Sequence, residues 1–512
     1  MQKIEINPQF QAALDLMENT SQNLFITGKA GTGKSTLLSY FMEKTKKRVP
    51  VLAPTGVAAL NVKGETIHSF FKFVPGVTLE TARKKGSKTK HDSLYSEIDA
   101  IVIDEISMVR ADLLDCMDVF LRASRRKKAA PFGGVQMIFI GDLYQLPPVV
   151  VSEEREHFKQ VYASPYFFAA KVIEDKKFKM QFIELEKIYR QKDEEFISIL
   201  NAIRNNSITD DQISFLNKQA QKQVPKNDKG YIYITTTNKS ADEINNYKLQ
   251  QLDTRLYSFS AQTVGKFEMK NAPTDFDLNL KSGAQVMFLT NNVEGLWVNG
   301  TIGTVVSISA DEAILVETQE GELVSVAPYS WTMYKYIFDA TNGSLGQEKI
   351  GSFIQYPLKL AWAITIHKSQ GKTFDRAIID FGNGTFAHGQ AYVALSRCRS
   401  FSGVILKQLF KKAHVIMDRQ VIKFLTKFQY AISEETCSLE DKIAIIQKII
   451  DKKDTLEILY LKNNDEKSRR IIEPFFVGEM EYKNVKYIGI QAFCQQSKAK
   501  RTFRVDRILE IG

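Results

Sequence analysis

Eight consecutive residues, Gly28-Lys29-Ala30-Gly31-Thr32-Gly33-Lys34-Ser35, carry the spacing G-x-x-x-x-G-K-[ST]. Glycines at such spacing let the backbone wrap an anion with its N–H groups pointing inward. A phosphate chain fits that cradle: Lys34 would reach its β- and γ-phosphates, and the Ser35 hydroxyl would sit on Mg²⁺. Further on, Ile101-Val102-Ile103-Asp104-Glu105 is an apolar run ending in two carboxylates. Asp104 is expected to hold Mg²⁺ through its water shell, and Glu105 to polarise the attacking water as general base. Gln145, in Gly141-Asp142-Leu143-Tyr144-Gln145-Leu146-Pro147-Pro148, could touch the γ-phosphate and report its presence. Hydrolysis also calls for a positive charge that arrives as the site closes. Arg190 in Glu186 to Gln191 and Arg397 in Tyr392 to Arg397 are two candidates; an arginine is usually a surface group, and only the family resemblance given below lifts these two above that. The chemistry these residues describe together is ATP hydrolysis assisted by Mg²⁺.

The elements that must position them can be read from the apolar pattern. Asn23 to Thr27 reads as a buried strand entering the loop, and Thr36 to Phe41 as the start of a helix leaving it. Val49 to Ala53, Ala100 to Ile103 and Gln136 to Ile140 are short, apolar and end in loop signals, the pattern of a parallel sheet covered on both faces. A second set begins at Tyr231 to Thr235 and resumes at Ala377 to Asp380 and Val404 to Leu406. Between them, from about 256 to 354, β-rich runs alternate with the turn signals Lys281-Ser282-Gly283, Asn299-Gly300, Glu320-Gly321 and Asn342-Gly343. This stretch is expected to be a small β-barrel inserted into the second α/β domain. The chain then reads as helical from about 415 through Ile449 and as short strands after that.

A chain of 512 residues is too long for a single core. No apolar stretch reaches the length of a membrane span and the N-terminus lacks a signal-peptide pattern. Cys116, Cys398, Cys437 and Cys494 are scattered with no C-x-x-C pair, which fits a reducing, cytoplasmic setting. The net charge of +10 suits a polyanionic partner, most simply nucleic acid. Arg83-Lys84-Lys85 with Lys88 and Lys90, and Arg125-Arg126-Lys127-Lys128, are its densest clusters, and either could equally be a solvated face.

The ordered motifs resemble those of the Pif-type (petite integration frequency) family of superfamily-one 5′-to-3′ DNA helicases. They are the phosphate loop, Ala53 to Ala59, Gly64 to Phe71, Ile103 to Met108, Gly141 to Val149, Leu185 to Gln191, Leu360 to Gly371 and Tyr392 to Arg397. Pro131 to Gln136 is similar to the Pif-type rather than the RecD-type. The resemblance implies two RecA-like lobes with ATP between them and single-stranded DNA across both. It implies that Gln11 reads the adenine edge (Gln9, two residues away, is the alternative). It also implies that Gly28, Ala30, Gly31, Thr32, Gly33, Lys34, Ser35, Thr36 and Gly371 touch the nucleotide. Thr55, Gly56, His68 and Phe70 would face DNA from the first lobe, and Thr237, Asn238, His367 and Lys368 from the second. Asp104 to Ser107 and Gln370 would couple nucleotide to DNA. Phe70 would supply stacking that tolerates any base, whereas Trp362 reads as core.

Residues 454–512 resemble a WYL domain, with Lys486-Tyr487-Ile488 where the family has Trp-Tyr-Leu. This implies an Sm-like barrel binding a ligand or nucleic acid through Tyr487, Arg501, Arg504 and Arg507. The expected organisation is a first lobe at 1–180 with a wedge-like arm at about 66–95, and a second lobe at 181–255 and 355–415. The insert at 256–354, a helical linker at 416–453 and the WYL-like domain complete it. The resemblance implies a monomer acting on single-stranded DNA, duplex junctions and structured DNA such as G-quadruplexes, in replication, repair, recombination or telomere-type maintenance. Two other readings stay open: an ATPase that translocates without parting strands, and a regulatory WYL module on an idle ATPase scaffold.

Overall fold

The computed structural model describes residues 6–512 apart from 75, 91, 192, 221–229, 268, 270–271, 293, 310–312, 340–343, 464 and 483. Pro75 of the arm and the Asn342-Gly343 turn therefore lie outside the described residues. The chain divides into two compact units. One comprises Met1–Arg204 with Ile208–Ile416, the other Met417–Gly512 with Asn205–Ser207.

The first lobe is built on six parallel strands in the order Glu65–Thr66, Val51–Ala53, Ala100–Ile103, Gln136–Ile140, Asn23–Gly28, Met180–Leu185. Ala100–Ile103 and Gln136–Ile140 are buried at every position, which is why they read as unbroken apolar runs rather than alternating ones. The phosphate loop, Asp104-Glu105 and Gly141 to Gln145 leave the carboxyl ends of three of these strands and so converge on one edge of the sheet. Met180–Leu185 was expected to fall almost wholly in the second lobe, from residue 181. It instead pairs along its whole length with Asn23–Gly28.

The second lobe carries four parallel strands, ordered Ala363–Thr365, Ile232–Thr235, Ala377–Asp380, Val404–Leu406. The insert between them is antiparallel. Five strands run in the order Leu323–Val326, Ile314–Thr318, Ile302–Ile308, Gln285–Phe288, Leu358–Leu360. The last of these lies past the expected boundary at 354. A long hairpin of Tyr329–Asp339 and Ser344–Gln355 pairs with Gln262–Gly265. Trp362 is buried with Val286, Phe288 and Leu358 in the core beneath these strands, in keeping with its reading as a core residue.

The arm region holds three helices, Ile67–Phe70, Leu79–Lys88 and Ser93–Glu97. The second lies on the helix Ala111–Ser124 at closest approach through Gly86, where a Cβ would meet the Phe120 carbonyl oxygen at 2.3 Å.

In the second unit, five antiparallel strands run in the order Ala499–Arg504, Val485–Cys494, Lys467–Tyr482, Leu456–Leu461, Ile508–Ile511. The segment expected as a helical linker forms Arg419–Thr436 and Leu439–Lys452. Ile446 of the latter is fully buried with Ile458, Ile472, Ile490 and Val505, so this helix is part of the sheet's core.

Gly86→Val should destabilise the first unit by about 1–3 kcal/mol, because the added methyls must push backbone rather than a flexible side chain. A lower denaturant midpoint is expected, and an unchanged midpoint would remove the close helix contact from this account.

Candidate active site

The cradle forms where the strand Asn23–Gly28 turns into the helix Lys34–Lys44. Gly31 and Gly33 have φ of 81° and 88°, a left-handed backbone that favours glycine. Gly31 is needed for a second reason: a Cβ there would lie 2.4 Å from that of Arg190, so its absence lets the Arg190 segment close on the loop. Tyr189 N–H donates to the Gly31 carbonyl at 2.9 Å. The resulting cavity, of about 650 Å³, is lined by Phe10, Ala30 to Thr36, Glu105, Gln145, Tyr189, Arg190, Gly371 and Arg397.

Three cations face it. Lys34 donates to the carbonyls of Gly28 at 2.7 Å and Lys29 at 3.1 Å, and burial lowers its pKa. Arg397 is 1% exposed, with Nε on the Val393 carbonyl at 2.9 Å and Nη2 on Ser396 Oγ at 2.9 Å. Burial, and then the neighbouring Arg190 charge, lower its pKa to about 9. Burial likewise lowers the pKa of Arg190, whose Nη1 is buried with no hydrogen-bond partner among the described residues. A buried donor left without a partner is costly. An oxygen of a phosphate chain lying in the cradle would satisfy it.

Glu105 closes the opposite wall. Its φ of 51° puts a non-glycine residue in the left-handed region, strain of about 1–3 kcal/mol of the kind found at functional sites. Burial raises the pKa of Asp104. Burial and then the Asp104 charge raise that of Glu105, to about 7. Gln370 Nε2 crosses from the second lobe to donate to Glu105 Oε2 at 3.2 Å and to Gln145 Oε1 at 3.1 Å. The Ser35 hydroxyl and the Asp104 carboxylate are oxygen donors of the type Mg²⁺ takes beside phosphate oxygens, so both groups fit what the motif implies.

The structure thus gathers Ala30 to Thr36, Glu105, Gln145, Arg190, Gly371 and Arg397 around one space. It does not bring Gln11 there. Gln11 is exposed and donates to Asp15 at 2.9 Å, while Gln9 donates to Glu186 at 3.2 Å and Phe10 supplies the cavity wall. Phe10, Tyr189 and the Tyr392 hydroxyl, which accepts from Ala30 N–H at 2.9 Å, were not singled out from the sequence. Their aromatic type beside the named motifs was the available signal.

The proposed DNA-facing residues divide. Thr55 caps the helix Gly56–Asn61, its side chain accepting from Ala58 N–H, and Thr237 caps Asn238–Gln250, accepting from Ser240 N–H. Each follows a parallel strand of its own lobe, so the two lobes present equivalent exposed helix starts, which suit phosphate. Asn238 and Lys368 are exposed; Gly56, His68 and His367 are half-buried, and burial lowers the pKa of both His367 and Lys368. Phe70 is corrected. It is 2% exposed, and its ring is held edge-to-face by Phe71, Tyr95 and Tyr336, leaving no face for a base. In the C-terminal unit the Arg504 guanidinium lies over Tyr487 at 5.1 Å and pairs with Asp506 at 2.6 Å. Arg507 donates to Asn463, and Arg501 is exposed.

Comparison with known proteins adds the following. The PIF1-like helicase model matches residues 6–214, and the WYL domain model matches 441–512. The chain is 35% identical over 436 residues to the ATP-dependent DNA helicase Pif1 of Bdellovibrio bacteriovorus, covering 83% of this chain and 93% of that protein. It spans 62% of the length of human ATP-dependent DNA helicase PIF1. Among solved structures, Bacteroides sp Pif1 in complex with ADP-AlF4 matches with TM-score 0.75 and 37% identity, over 83% of this chain and 97% of that one. Bacteroides Pif1 in complex with ADP-AlF3 and ssDNA matches with TM-score 0.60 and 38% identity, over 83% and 98%.

A general base must be ionised to work, and a carboxyl raised to about 7 is protonated below that pH. The kcat/KM for ATP should therefore fall as pH drops through about 7, the free-enzyme value governing that parameter. Glu105→Gln should lower kcat by about 10²-fold or more and flatten the profile. A profile unchanged by that substitution would exclude Glu105 as the base.

Proposed function

The chain belongs to the PIF1-like helicase family and is an ATP-hydrolysing DNA helicase; from that premise we propose that it moves 5′ to 3′ along single-stranded DNA, with Mg²⁺, and parts the duplex at junctions. One observation carries this reading. Gln370, which touches Glu105 and Gln145 at the ATP site, sits in the same tight turn as His367 and Lys368, and its N–H donates to the His367 carbonyl at 3.2 Å. A shift at the nucleotide is thereby passed to the strand-facing residues without an intervening flexible segment.

The steps follow from the side chains. ATP enters against the loop N–H groups and Lys34. Its phosphates draw in Arg190, beside the loop, and Arg397 of the second lobe, because both are cations that burial disfavours. Bound to Ser35 and Asp104, Mg²⁺ would neutralise phosphate charge. Glu105 takes a proton from the attacking water while Gln145 holds the γ-phosphate in line. Loss of that phosphate releases the arginines and lets the lobes part. Thr55 and Thr237, as matching helix caps, hold backbone phosphates of the strand in turn, which gives stepping without sequence reading. We propose the same activity on forks and G-quadruplexes in replication, repair, recombination or telomere-type maintenance, by a monomer acting at the nucleoid; of these, forks are what a similar structure supports, that of DNA unwinding at forked dsDNA by two coordinating Pif1 helicases. In the C-terminal unit, Tyr487, Arg501, Arg504 and Arg507 are proposed to receive a ligand or nucleic acid.

Stopped-flow unwinding of a duplex with a 5′ single-stranded tail, beside its 3′-tailed counterpart, tests the polarity. Unwinding from the 5′ tail alone, abolished by Lys34→Ala, is expected. Arg397→Ala should lower kcat for hydrolysis by about 10³-fold. Strand-stimulated hydrolysis with no unwinding of either substrate would make the protein a translocase instead.

A further inference from the structure

An ion pair outside the nucleotide cavity joins the lobes at the base of Gln145. Arg204 ends the helix Glu194–Arg204, which belongs to the second lobe, where Phe196 stacks on Phe401. Its Nη2 lies 3.6 Å from Asp142 Oδ1, with side-chain exposures of 3% and 0%. Its guanidinium also covers the Tyr144 ring, Cζ to centroid 3.9 Å. Neither Arg204 nor Asp142 lines the cavity.

Asp142 is already committed on the other side. Its Oδ1 accepts from Tyr144 N–H at 3.1 Å, and its Oδ2 accepts from Gln145 Nε2 at 3.3 Å. Gln145 Oε1 in turn accepts from Gln370. The Asp142 carboxylate therefore stands between Arg204 and the amide that faces the γ-phosphate. A buried pair of charges is weak as a source of stability, and apolar residues of similar volume often serve as well. At 3.6 Å the contact exceeds hydrogen-bond range, and Arg204 Nε has no hydrogen-bond partner among the described residues. The pair has room to tighten as the second lobe closes.

We infer that Arg204 is a positioning residue for ATP hydrolysis: by bearing on Asp142 it sets the orientation of Gln145, so that the γ-phosphate is engaged only when the second lobe has closed. This rests on the ATP-site reading above.

The test uses the full chain and its Arg204→Met and Arg204→Lys variants. Hydrolysis is measured with saturating oligo-dT, nucleotide affinity with fluorescent mant-ADP, and folding by thermal melting. Wild-type hydrolysis must rise with oligo-dT; if it does not, the helicase reading fails rather than this inference. Arg204→Met is expected to lose about tenfold or more in kcat while mant-ADP affinity stays within about twofold, the signature of an interaction made only in the transition state. Arg204→Lys, which keeps the charge but not the planar face over Tyr144, should fall between, about threefold down in kcat. A folded Arg204→Met with wild-type kcat would overturn the inference, as would kcat and nucleotide affinity falling together. Should Arg204→Met melt below the assay temperature, Arg204→Lys decides: a wild-type kcat there overturns it equally.

Discussion

Three positive charges share one poorly solvated cleft, and the rest of the structure depends on that crowding. Lys34 comes from the phosphate loop, Arg190 from the segment that follows Met180–Leu185 and packs on that loop, and Arg397 from the second lobe. Burial works against all three, and Arg190 and Arg397 further oppose each other. A protein interior tolerates such an arrangement only when an anion completes it. Glu105 and Asp104 offset these charges only in part, since burial raises the pKa of both. The phosphate chain of a nucleotide supplies what the cleft lacks, and its loss on hydrolysis removes it. On the proposed reading, nucleotide state is thereby converted into lobe separation by electrostatics rather than by shape alone.

Two devices carry that conversion outward. The Thr365–Gly371 turn has Gln370 on the catalytic wall and also carries His367 and Lys368, the residues proposed to face the strand, so on that reading chemistry and grip share one piece of backbone. The Gly141–Gln145 loop is fastened internally by the buried Asp142 and externally by the half-buried Gln370 and the buried Arg204. Buried polar networks of this kind are stiff because each member is costly to strand. On the proposed reading, such stiffness would pass a displacement at the γ-phosphate on to the residues proposed to face the strand.

What the sequence made legible is local. The phosphate loop, the carboxylates after Ile103 and the parallel strands all announce themselves within a few neighbouring residues, as an apolar run closed by a loop signal. What stayed hidden depends on partners distant in the chain. Met180–Leu185 looks like any short strand, and only its pairing with Asn23–Gly28 assigns it to the first lobe. Leu358–Leu360 belongs with the insert because it pairs with Gln285–Phe288. Phe70 carries the residue type for base stacking, but Tyr95 and Tyr336 converge on it from separate segments. Gln9 and Gln11 lie on one helix two positions apart, and spacing alone cannot say which way the helix is turned. Arg204 has no motif of its own; its meaning appears only beside Asp142.

The claim that phosphate neutralises buried cations and so closes the cleft is tested by one distance. Spin labels at Lys44 and Tyr247, exposed helical positions in the first and second lobes, would be placed on a Cys437→Ser background and read by double electron–electron resonance. The distance is compared without nucleotide and with ADP, aluminium fluoride and Mg²⁺. The account predicts a clear shortening in the wild type that is lost when Arg190 and Arg397 are both replaced by alanine. An unchanged distance in the wild type, or full closure in the variant lacking both arginines, would contradict it.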